Sequence, residues 1–93
     1  MFASKDPEEN ITLTFDFSAL AASIANPEIT IEVVSGTDAD AQAMLSGAAQ
    51  VDGNKVLQRV TGGVDGVDYH LRCTGESGAD KLVIPETLRV RKR

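Results

Sequence analysis

The chain has 93 residues, 42% of them hydrophobic and 4% aromatic, with no Trp, one Cys and a formal net charge of −5. That composition describes a single globular domain with a modest core, rules out an intrachain disulfide and removes the ring platforms on which sugars or single-stranded nucleic acid stack. An acidic total without an extended basic stripe argues against nucleic acid, and no window approaches the roughly 18 consecutive apolar residues of a membrane helix.

The opening Met1-Phe2-Ala3-Ser4-Lys5-Asp6-Pro7-Glu8-Glu9-Asn10 has neither the basic start nor the apolar run of an export signal. Synthesis in the cytosol is expected. Pro7 disfavours a helical Asp6, so residues 1–10 read as an extended polar arm and residues 11–93 as the folded domain. Ile11 to Phe17 alternates apolar and polar residues without a break, the period of a half-buried strand. Ser18 is placed to cap a short helix with Leu20 and Ile24 on one face, ended by Asn26-Pro27.

Ile29-Thr30-Ile31-Glu32-Val33 alternates again and stops at the turn residues Ser35-Gly36-Thr37-Asp38. Residues 41–49 favour helix by composition, but Ser46-Gly47 interrupts them too early. A short strand around Ala43–Leu45 is expected there. Asp52-Gly53-Asn54 forms a turn, after which Val56 and Val60 face inward along a strand.

Gly62-Gly63-Val64-Asp65-Gly66 is a glycine-rich corner, and Val67, Tyr69, Leu71 and Cys73 share the core face of the strand that follows. Glu76 to Asp80 makes the last turn. Leu82, Ile84, Leu88 and Val90 line the final strand, where Pro85 marks a bulge or an edge that shifts the register and keeps Glu86 from being buried. About six or seven short strands, with one short helix after the first, predict an all-β, immunoglobulin-like antiparallel β-sandwich.

The functional candidates are few. Tyr69, just beyond Gly62, Gly63 and Gly66, occupies the place of a tyrosine corner, in which the ring fills the core edge and the hydroxyl ties down backbone. These four residues are assigned structural roles. His70 and Cys73 have opposite parity on their strand and cannot share a metal. Asp38 and Asp40 lack the spaced oxygen ligands of a calcium loop and read as turn residues. The glycine corner precedes a strand, whereas a phosphate cradle needs a following helix. With no nucleophile beside a base, no paired carboxylates and no cofactor or metal set, the chain reads as non-enzymatic.

Charge is unevenly distributed. Residues 1–40 hold eight acids and one Lys, and residues 41–93 hold six acids and eight bases. Arg89, Arg91, Lys92 and Arg93 form either a solvated, pairing-resistant edge or a contact for an acidic protein surface. With Lys5 and Asp6 of the arm they are the candidate partner-binding residues, and a head-to-tail homo-oligomer would match the acidic half of one copy to the basic end of the next.

Several blocks taken together carry a resemblance: Lys5-Asp6-Pro7 ahead of a strand ending Asp16-Phe17-Ser18, then Met44-Leu45-Ser46-Gly47. Val56-x-Gln58-x-Val60-x-Gly62-Gly63-x-x-Gly66-x-x-Tyr69-x-Leu71-x-Cys73 follows, and Leu88-Arg89-Val90-Arg91 closes the chain. In these the chain resembles the small tailed-phage and prophage proteins called fibre-tail adaptors. The resemblance implies a virion structural protein of the tail or neck, made in the host cytoplasm, that links fibres to the particle by contacts with other virion proteins. It implies no catalytic residues. The alternative reading is an immunoglobulin-like recognition or adhesion module that binds a carbohydrate or surface ligand, which the scarcity of aromatics disfavours.

Overall fold

A computed structural model describes residues 4–93. Six strands follow in chain order: β1 (Ile11–Asp16), β2 (Ala25–Ser35), β3 (Leu45–Asp52), β4 (Lys55–Val60), β5 (Asp68–Ser77) and β6 (Asp80–Arg89). They form two three-stranded antiparallel sheets, ordered β1-β4-β3 and β2-β5-β6. This is the B-E-D and C-F-G arrangement of the immunoglobulin sandwich. The arm crosses to the other sheet instead of joining β1, and Lys5 bridges in parallel to Val90, just past β6.

Alternation fixes which side chains meet between the sheets. Leu13 and Phe15 from β1, Val56 and Val60 from β4, Ile31 from β2, and Tyr69, Leu71 and Cys73 from β5 are all buried, with Leu88 and Val90 closing the far side. Gln58, on the same face as Val56 and Val60, is buried as well. It sits opposite an irregularity in β3, where the pairing jumps from Ser46–Arg59 to Gln50–Leu57. The Gln58 amide donates to Gly47 O at 3.2 Å and Arg59 O at 2.9 Å, satisfying carbonyls near the broken ladder.

Three local expectations are corrected. Ser18 to Ile24 is not helical but a turn: Leu20 N–H and Ala21 N–H both donate to Phe17 O, and Ser18 N–H is taken by Asp16 Oδ1 at 2.8 Å. Leu20 is 56% exposed whereas Ile24 is buried, so the two share no face. One helical turn would fix many dihedrals for a single hydrogen bond, and the segment is pinned instead to the β3–β4 hairpin tip, through Phe17 N–H to Asn54 O and Ile24 N–H to Gly53 O. Asn26-Pro27 belongs to β2 as an irregularity, with Asn26 at φ 50°.

The segment expected as a strand around Ala43–Leu45 is a 3-10 turn over Ala41–Met44, and β3 begins at Leu45. Ala41 and Met44 bury their side chains, which an extended Ala41–Met44 would place on opposite faces. Pro85 shifts no register: β6 pairs with β5 without interruption from Asp80–Ser77 to Arg89–Asp68. The proline is tolerated because β6 is an edge strand, and Glu86 is partly buried opposite Leu71.

Candidate functional site

One pole of the sandwich gathers the glycine corner, the arm and the carboxyl end. Tyr69 is the largest fully buried side chain, and its hydroxyl reaches out of the core to this pole. Val64 N–H donates to the Tyr69 hydroxyl oxygen at 3.0 Å, and the hydroxyl donates to Asp38 Oδ2 at 2.7 Å. Burial, reinforced by the bond to Asp38, pushes the phenol up to about 12 from its ordinary 10.0. Gly63 packs against this arrangement at φ 98°, and a Cβ there would come within 2.9 Å of Val90 Cγ2 and 3.1 Å of Met44 Cε. Gly66 N–H donates to Val90 O at 2.9 Å, fastening the end of the corner to the last residues of the chain.

Lys5 completes the pole from the other side. Its N–H donates to Arg89 O at 2.9 Å, and its carbonyl accepts from Arg91 N–H at 2.8 Å. The side chain is buried, with Nζ donating to Gly62 O at 2.6 Å and Asp6 O at 2.9 Å. Burial holds the ammonium pKa below its ordinary value, partly opposed by Glu9 and Asp6.

The basic end is answered largely within the chain. Arg93 N–H donates to Asp6 Oδ2 at 2.7 Å and its guanidinium to Ser4 O at 2.9 Å and to the Glu9 carboxylate. Backbone N–H donors of Arg93 and Glu8 hold the Asp6 carboxyl below the usual carboxylate range. Arg91 bonds Asp68 Oδ1 at 2.7 Å, Arg89 lies 4.0 Å from the other oxygen of Asp68, and Lys92 N–H donates to Asp65 Oδ1 at 2.8 Å.

Five of the six partner-binding candidates therefore share one surface, and the sixth lies beneath it. Lys5 turns inward and offers no exposed atom. Arg89, Arg91 and Arg93 are about half exposed, and Asp6 is partly exposed. The Lys92 side chain is exposed. The sequence gives no signal for the burial of Lys5, because a lysine between polar residues reads as solvated. Nor does it point to Asp38 as the partner of Tyr69, which lies 31 residues away.

Elsewhere the surface is shallow. His70 Nδ1 lies 3.5 Å from Glu32 Oε1 in a depression of about 170 Å³ on the outer face of β2-β5-β6. Cys73 points into the core, where burial raises its thiol to about 11. Among the described residues no three His, Cys, Asp or Glu side chains group as metal ligands.

Compared with known families, residues 5–81 match the model of the family described as podophage GP4 fiber-tail adaptor protein gp77. No curated protein and no solved structure matches.

Proposed function

The chain belongs to the podophage GP4 fiber-tail adaptor family, and from that premise we propose that it is a non-enzymatic virion protein joining fibres to the tail through protein contacts. The match over residues 5–81 carries the reading. The joined arm and carboxyl end suit it physically, since Asp6, Arg89, Arg91, Lys92 and Arg93 are held in place before any partner arrives, and a pre-ordered surface loses less entropy on binding. Lys5 serves that surface from beneath, by fixing the backbone of Arg89 and Arg91. A carbohydrate-binding reading has less support, because among the described residues Phe15, Phe17 and Tyr69 all lie in the core.

The test is a co-sedimentation of purified fibre protein with tails assembled with and without this chain. Fibres are expected to pellet only when the chain is present. Fibre attachment at equal levels without it would overturn the proposal. Lys92→Glu, at an exposed side chain that makes no ion pair among the described residues, should weaken assembly at low salt and leave the fold intact.

A further inference from the structure

Four strand edges border the two sheets, and three of them carry features that discourage pairing. β2 contains Pro27, Glu28 and Glu32 and two register irregularities. β3 is broken between Ser46 and Gln50. β6 carries Lys81 and Pro85, and past its end Val90 is already bridged by Lys5. β1 has the fewest: its register against β4 is unbroken, it contains no proline, and its one charged residue, Asp16, is its last.

The direction of its outward backbone groups follows from the ladder. Phe17 N–H donates to Asn54 O in continuation of the β1–β4 register. In an antiparallel pair, hydrogen-bonded and non-hydrogen-bonded positions alternate. Phe15, Leu13 and Ile11 therefore bond to β4, and the N–H and C=O of Thr12, Thr14 and Asp16 point away from it. Alongside lies an open groove of about 460 Å³, lined by Ile11–Thr14 with Ser4, Glu9 and Arg93.

We propose that β1 is the edge through which two copies of this chain pair, antiparallel and about a two-fold axis at Thr14. The strand is its own complement in that register. Thr14 meets Thr14 of the second copy, a favourable cross-strand pair, and Leu13 meets Phe15, so apolar side chains stay on the core side of both sheets. Thr12 meets Asp16, which sets the carboxylate of one copy at the end of the groove where Glu9 and Arg93 of the other form an ion pair. One strand pair is a small interface, so association is expected in the micromolar range or weaker. The proposal rests on the edge geometry and not on the family reading.

Sedimentation velocity of the full chain from micromolar to millimolar concentration tests it. A monomer–dimer equilibrium is expected, with the Thr12 and Thr14 amides gaining hydrogen-exchange protection as concentration rises. Thr14→Pro removes only an outward N–H, so the bonds to β4 are kept while dimerisation weakens at least about tenfold. Should the proline prevent folding, Thr14→Lys provides the same readout through a charged edge. A wild type that remains monomeric throughout, or a dimer that survives these substitutions in folded protein, overturns the proposal. So does a monomer whose β1 edge takes up a strand from a tail or fibre protein, seen as binding lost on Thr14→Lys. Fibre–tail co-sedimentation is read separately, so failure here leaves the adaptor role standing.

Discussion

The Tyr69 hydroxyl donates to Asp38 across 2.7 Å, joining a core side chain of β5 to the loop that follows β2. The same oxygen accepts from Val64 N–H, so one atom braces two loops. Tyr69→Phe keeps the ring and removes both bonds. A loss of about 1–3 kcal/mol is expected, since a charged acceptor and a backbone donor lose their partner. Tyr69→Ala should cost about 3–5 kcal/mol or prevent folding. Urea denaturation measures both.

Tyr69 is the only tyrosine and there is no Trp, so ultraviolet absorbance follows its ionisation without interference. The native midpoint is expected near 12, against 10.0 in the unfolded chain. The folded value is raised, so the native state holds this proton more tightly. Its stabilising contribution is full below pH 10 and is lost as pH rises through 10 towards 12. A native midpoint at the unfolded value would place the hydroxyl in solvent.

Cys73 offers a probe of opening. Its thiol is buried and raised to about 11, so at neutral pH it should resist thiol reagents in the native protein and react at once in denaturant. The native labelling rate should follow the opening equilibrium, and Tyr69→Phe should accelerate it.

Gly75 is needed for space and not for backbone freedom. A Cβ on it would stand 2.5 Å from Ile24 Cγ2. Gly75→Ala should therefore cost about 1–3 kcal/mol by overpacking. Ile24→Ala makes room for that methyl, so the two substitutions together should be less damaging than their sum. Additive losses in a double-mutant cycle would show that the contact relaxes freely.

Lys5→Met retains the apolar stem but leaves Gly62 O without its donor. A loss of about 1–3 kcal/mol is expected in urea, with Lys92→Glu changing stability by under about 0.5 kcal/mol. The arm should also respond to acid. The Asp6 carboxyl is held below its ordinary 3.8, so its bonds to Arg93 and Glu8 stabilise above that pH and are lost as pH falls through the lower folded value. Nuclear magnetic resonance shifts of the Arg93 and Glu8 amides report that release.

Period-two alternation makes much of this fold legible in the sequence. Val67, Tyr69, Leu71 and Cys73 can be placed on the core face from parity alone, because no competing local interaction disturbs β5. The Leu20–Ile24 spacing misleads, since a four-residue interval also arises by chance and the segment is fixed by Gly53 and Asn54, far off in sequence. The 3-10 turn at Ala41–Met44 is hidden for a similar reason: small and flexible residues leave tertiary packing to decide. At the candidate surface, the basic residues are visible in the sequence, but their partners Asp6, Glu9, Asp65 and Asp68 are scattered along it. Nothing local shows that the acidic arm answers the basic end within one copy.

The parallel bridge at Lys5 also has a mechanical meaning. Lys5 and the segment from Arg89 to Arg91 run in the same direction, so tension applied at the two ends of the chain pulls them along their common axis in opposite senses. The bonds from Lys5 N–H to Arg89 O and from Arg91 N–H to Lys5 O are then sheared together and not peeled one after the other. The buried ammonium grips Gly62 O in the corner below and must be dragged out of the core before the arm can slide. In a member of a fibre-tail adaptor family, resistance to stretching along that line would fall on this lysine, the backbone on either side of it, and the Arg93 bonds to Ser4, Asp6 and Glu9.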